Sequence, residues 1–229
     1  SEFYDNSRLI GLALLSMGLK RGEVVSILSE DSKEWIYTDL AVQSVGGITS
    51  GVYPTDSARQ LVYLVNDSDT QFLFLENDEQ LDKYLSVSDQ MPKLKKVIVY
   101  EKDGLIDFDD PRVIFLTDLY EVGKTELEKK SGIFEKEIEA GKSEDTSILI
   151  YTSGTTGEPK GVEITGNNIM FSISAGGRSL PVFDNDEQLC FLPLCHILER
   201  LISVFQPIGA GSVINFAESS ETVFDNLQE

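Results

Sequence analysis

Short apolar runs of strand length alternate along this chain with segments whose apolar residues recur at helical spacing, and no other feature limits the fold as much. Leu9, Ile10, Ala13, Leu14 and Met17 fall at helical spacing before Gly18, and residues 24–28 then read as a strand. Asp31 with Glu34 three residues on is the pattern of a capping box, and Trp35, Ile36, Leu40, Val42 and Val45 carry a helix to Gly46-Gly47. A strand at 48–53, turn chemistry at Pro54-Thr55-Asp56-Ser57, a helix at 58–66 and compact apolar runs at 71–75 and 97–100 follow. Parallel strands need crossover connections, which such helices supply. The pattern therefore predicts an α/β fold, a mostly parallel sheet covered by helices on both faces.

Residues 121–145 are dominated by Glu and Lys with few apolar anchors, and read as a solvated helical surface or a linker. Beyond them the pattern gives a strand at 148–151, a glycine-rich loop, a strand at 161–165, a helix from about Asn168 and a strand at 188–194. A soft boundary near Ser143 divides the chain into an α/β region of residues 1–142 and a loop-bearing α/β region of residues 143–229. No repeat of fixed period occurs, which disfavours solenoids and propellers. The chain begins Ser1-Glu2-Phe3 rather than with Met, and residues 219–229 form a helical pattern without a glycine stop, so it reads as a piece of a longer gene product.

Charge narrows the possible partners. The 229 residues include 39 acidic and 19 basic side chains, a formal net charge of −20. Such a chain repels phosphate backbones and anionic lipid at long range, so nucleic acid is not an expected partner and polybasic docking on membranes is disfavoured. No apolar run approaches the ~20 residues that span a bilayer, and the N-terminus lacks the basic, apolar and small-residue succession of a secretory leader. Cys190 and Cys195 flank a proline-containing turn and, with His196, make at most three soft ligands, one short of a structural zinc site. They read as reduced thiols, Cys190 buried on a strand, in a cytoplasmic protein.

The segment YTSGTTGEPKG, residues 151–161, places three glycines, four Ser and Thr hydroxyls and one lysine in a loop between two strands. Glycines let backbone N–H groups approach an anion, and the hydroxyls add donors around that concavity. Lys160 supplies a point charge worth roughly 4 kcal/mol at ~4 Å, while carboxylates beyond ~8 Å are largely screened. The loop can thus bind phosphate despite the overall charge. The Walker pattern fails, because Pro159 and Gly161 flank the lysine, and neither G-x-G-x-x-G nor G-x-S-x-G occurs.

This loop resembles the phosphate loop of the acyl-adenylate-forming (AMP-dependent synthetase/ligase) superfamily. FLPLCHILER, residues 191–200, resembles the strand-to-helix motif of its long-chain fatty-acid CoA ligase branch, bacterial type, and EDSKEWIYTDLAVQSVGGITSGVYPTDS, residues 30–57, is similar to the family's N-terminal region. The likeness covers nearly the whole chain but only the N-terminal part of the family. It implies that Thr152, Ser153, Gly154, Thr155, Thr156, Gly157 and Lys160 hold the ATP phosphates, with Thr155 nearest to Mg2+, and that His196 lines the adenylate and carboxylate site. An alternative for His196, capping the next helix, stays open, and Arg200 reads equally well as a structural ion pair. The chain reads Gly166-Asn167-Asn168 where family members often carry His-Arg-Asn, and the family's Tyr-Gly-x-Thr-Glu segment, ribose-binding Asp, hinge and catalytic lysine have no counterpart.

The resemblance implies an enzyme that uses ATP to activate a long-chain fatty acid to acyl-AMP and then acyl-CoA, with coenzyme A as co-substrate. Two other readings remain, an acyl-AMP ligase that loads a carrier protein and a noncatalytic nucleotide- or acyl-binding module. A lipid substrate is compatible with peripheral membrane contact by the parent protein, although no amphipathic basic helix demands it. Nothing in the sequence sets the acyl chain length or the oligomeric state.

Overall fold

A computed structural model of the chain describes residues 2–105, 107–129, 132–152, 157–219 and 221–227. Helix α1 (Glu2–Ser16) leads into β1 (Val24–Leu28), α2 (Lys33–Ser44), β2 (Ile48–Val52), α3 (Ala58–Asp67), β3 (Phe72–Leu75), α4 (Asp78–Leu85), β4 (Lys96–Val99) and β5 (Val113–Phe115). Helices α5 (Leu116–Lys129) and α6 (Ile133–Glu139) precede β6 (Thr146–Thr152) and β7 (Lys160–Thr165). One seven-stranded sheet results, in the order β5-β4-β3-β1-β2-β6-β7. Every pairing is parallel except β6 with β7.

Strands buried on both faces read as continuous apolar runs, and alternate residues in them serve opposite faces. Phe72, Phe74, Val25, Ile27 and Ile98 join α1, α2 and α5 in one core, while Leu73, Leu75, Val97 and Val99 join α3 and α4 in another. Both faces are thus covered, as the alternation predicts. The Glu- and Lys-rich stretch is better anchored than its composition suggests. Leu119 and Phe134 are buried in the first core, and Phe134 packs so closely under α1 that a Cβ on Gly11 would lie 2.8 Å from its ring.

The expected capping box at Asp31 does not form. The backbone stays extended through Ser32, whose hydroxyl accepts from Trp35 N at 3.2 Å, so α2 starts one residue later and Asp31 is released for another contact. The boundary near Ser143 falls between α6 and β6, and the sheet runs on across it through the β2–β6 pairing.

Helix α7 (Gly166–Ser179) opens on a capping box between Thr165 and Asn168. Strand β8 (Glu187–Cys190) stops four residues before Leu194, where the chain turns into α8 (Ile197–Arg200), a π-helical turn at Leu201–Phe205 and α9 (Gln206–Ala210). Strand β9 (Val213–Phe216) pairs in parallel with β8 in a second, two-stranded sheet. Cys190, Leu194 and Val204 enter the first core, which seats this layer against α2. Among the described residues of 219–229 the helical pattern yields the short α10 (Val223–Asn226), with no side-chain cap at its start. Among the described residues no helix is long and apolar enough to cross a membrane.

Candidate functional site

The loop and the turn singled out by sequence meet at one cavity. It has a volume of about 450 Å3 and opens where β2 and β6 end, bordered by Gly51, Tyr53, Tyr63, Thr152, Pro159 and His196 among others. Carboxyl ends of parallel strands are where open α/β sheets place ligands.

Thr152 closes β6 and Lys160 opens β7, and the antiparallel register sets the two opposite each other at the base of the loop. Lys160 is exposed and, among the described residues, pairs with no carboxylate, which leaves its ammonium available to an anion in a chain of net charge −20. Gly157 has φ +108°, a conformation costly for any residue with a side chain. Ser153, Gly154, Thr155 and Thr156 lie outside the described residues. The far end of the loop is tied to α3, since Tyr63 Oη donates to Pro159 O at 2.8 Å and Arg59 lies 3.9 Å from Glu158. Of the expected phosphate-binding residues, Thr152 borders the cavity, whereas Gly157 and Lys160 stand outside its lining.

His196 plays two parts. Its Nδ1 accepts from Leu198 N at 3.2 Å, capping α8, and the residue also borders the cavity. The helix-capping alternative and a place at the site are therefore compatible. Use of Nδ1 as the acceptor leaves Nε2 as the ring's other polar atom.

Arg200 is not at the site. Its side chain is fully buried, ion-paired to the equally buried Asp39 of α2, with its guanidinium 4.8 Å from the centre of the Trp35 ring. It is a structural ion pair. Cys190 and Cys195 are free and buried. Burial, aided by the Asp31 charge, raises both thiols above the usual range, Cys195 to about 12, so neither is a ready nucleophile. Among the described residues no group of three or more His, Cys, Asp or Glu side chains could hold a metal ion.

Sequence patterns missed several contributors. Gly51 lets the turn lie against β2, because a Cβ there would sit 2.6 Å from both Cα and Cβ of Cys195. Tyr53 and Asp56 border the cavity, and burial raises both above their ordinary values. Asp31 accepts from Leu194 N at 2.7 Å, bridging 163 positions of sequence. A glycine within a strand was the one local signal available; the others needed the fold.

The model of the AMP-binding enzyme family matches residues 1–229, and the chain belongs to that family. The long-chain-fatty-acid–CoA ligase ACSBG2 of Xenopus laevis is 32% identical over 221 residues, 95% of this chain and 29% of the relative. Its counterpart in Homo sapiens is 31% identical over 239 residues, 100% of this chain and 34% of the relative. The chain thus spans about a third of the length of the curated relatives it matches. The fold matches that of the anthranilate CoA ligase AuaEII solved with anthranoyl-AMP, with a TM-score of 0.83 at 20% identity over 98% of this chain and 41% of that one. It also matches ATP-bound MatB from Rhodopseudomonas palustris, with a TM-score of 0.76 at 17% identity over 100% of this chain and 42% of that one.

Proposed function

We propose that the protein containing this chain is an AMP-forming acyl-CoA ligase that activates a long-chain fatty acid. The observation that carries this reading is the meeting of the YTSGTTGEPKG loop and the His196 turn at one cavity, in a chain of the AMP-binding enzyme family whose relatives are named long-chain-fatty-acid–CoA ligases.

The donors suit a polyphosphate. Lys160 has no carboxylate partner among the described residues, and Thr152 stands opposite it at the loop's base. Bound Mg2+ would neutralise phosphate charge, with Thr155 as its hydroxyl neighbour and the phosphates themselves as its main ligands. The fatty carboxylate attacks the α-phosphorus of ATP in line, forming acyl-AMP and expelling pyrophosphate. Lys160, held at the start of β7 opposite Thr152, meets the negative charge that develops. His196 lines the space where carboxylate and α-phosphate approach, its ring oriented by the bond from Leu198 N. Coenzyme A thiol then attacks the acyl carbon, forming the thioester and releasing AMP.

The test is fatty-acid-dependent exchange of pyrophosphate into ATP by the full-length protein. Exchange is expected, and Lys160→Ala lowers its rate by about a hundredfold or more. Exchange at the wild-type rate in that variant would remove Lys160 from the mechanism, and no exchange with any fatty acid would leave binding without chemistry as the better reading.

A further inference from the structure

Two carboxylates that the proposed chemistry leaves without a part grip the turn that carries Cys195 and His196. From the end of β1, Asp31 Oδ1 accepts from Leu194 N at 2.7 Å, and Cys190 Sγ lies 3.7 Å from Oδ2. From α8, Glu199 Oε1 accepts from Phe191 N at 3.1 Å and from the Ser203 hydroxyl at 2.8 Å. Within the turn His196 N donates to Pro193 O at 2.8 Å. Both ends of the turn are therefore fixed through backbone N–H groups by side chains from different parts of the chain.

Burying two like charges near each other is expensive, and an apolar packing of the same space would avoid the cost. Glu199 is only 2% exposed. Burial, with Glu199 and Glu30 nearby, pushes the Asp31 carboxyl up to about 6. The Arg200–Asp39 pair and the Cys190, Leu194 and Val204 side chains also seat this layer. What Asp31 and Glu199 add is a fixed backbone path for residues 191–194, immediately before Cys195, His196 and Ile197, which border the cavity.

We propose that Asp31 and Glu199 are positioning residues, a pair of carboxylates that clamp the 191–194 turn so that His196 stands at a fixed place on the cavity wall. Their effect on rate rests on the adenylation reading above. A displacement of about 1 Å at a reacting centre can cost on the order of a hundredfold in rate, so a local clamp has kinetic leverage far beyond its share of stability.

The test uses the full-length protein as wild type, Asp31→Ala and Asp31→Asn, with pyrophosphate exchange, thermal unfolding and hydrogen exchange measured on each. In Asp31→Ala, kcat falls about tenfold or more while the KM for ATP stays within about twofold, and the peptide over residues 191–198 exchanges faster. Asp31→Asn keeps an oxygen that accepts from Leu194 N and restores kcat to within about threefold of wild type. Wild-type kcat in Asp31→Ala overturns the clamp, as does a loss explained by a smaller folded fraction, or an Asp31→Asn no better than Asp31→Ala. Should wild type fail to adenylate, the functional reading falls, and the clamp is decided by hydrogen exchange: protection of 191–198 unchanged in Asp31→Ala overturns it, and faster exchange confined there upholds it.

Discussion

Arg200 is among the largest fully buried side chains of the protein, and its charge is tolerable only because Asp39 faces it and the Trp35 ring covers it. Its Nη1 makes no hydrogen bond, so the loss of Asp39 would strand a buried cation. Asp39→Ala is expected to destabilise the chain by about 3–5 kcal/mol, read as a shift of the urea midpoint. Asp31 makes the opposite kind of contribution. Its folded-state value of about 6 lies above the ordinary 3.8, driven by burial and by Glu199 and Glu30, with the Cys190 thiol and Leu194 N facing it and the Cys195 thiol nearby. The folded protein holds this proton more tightly than the unfolded one. The stability gained is fully present below about pH 4 and lost as pH rises through about 6. Asp31→Asn removes that dependence, so its stability relative to wild type rises by roughly 2–3 kcal/mol between pH 4 and pH 7, measured by denaturant unfolding at both.

At the scale of elements, the site depends on how closely β2 approaches the 191–196 turn. Gly51→Ala would drive a methyl group into the backbone of Cys195, a contact that no rotamer change relieves. A cost of about 1–3 kcal/mol is expected in urea unfolding, together with a rise in the KM for ATP as the cavity wall shifts. This contact also marks how far local reading extends. The hydrophobic periods located β1, β2, α3 and β3 to within a residue or two, because each buries a pattern written in its own sequence. The Asp31–Glu34 pattern failed for a different reason. A capping box needs the N-cap side chain to accept from the N3 N–H, and Asp31 accepts instead from Leu194 N, which is remote in sequence. The alternation of apolar residues likewise gave no notice that Phe134 anchors an otherwise charged segment beneath α1.

Across the whole molecule, residues before and after 143 share one sheet and one core. β6 hydrogen-bonds to β2, and Leu194 and Val204 pack with Trp35 and Val42. The single tryptophan, Trp35, lies against Arg200 and so reports on the contact between the two stretches. Urea unfolding of the 229-residue chain followed by Trp35 fluorescence and by far-UV circular dichroism is expected to give coincident transitions. Separate midpoints would show that the stretches on either side of Ser143 fold as independent units.

The sequence alone determined the α/β class and the places of β1, β2, β3, β4, β6 and β7 along the chain, though not β5 or β9, and it singled out the glycine- and hydroxyl-rich loop at 151–161. Each of these is a property of neighbouring residues: a hydrophobic period, a turn residue, a cluster of glycines, hydroxyls and a lysine. The tertiary structure decided which strands became neighbours, that the loop and the His196 turn border one cavity, that Arg200 is a buried counter-ion and that Asp31 grips Leu194. The last two depend on pairings across more than 100 positions, between Asp39 and Arg200, 161 apart, and Asp31 and Leu194, 163 apart. A buried charge or an N–H group is satisfied by whatever partner the packed sheet brings within reach, and local sequence carries no record of that partner.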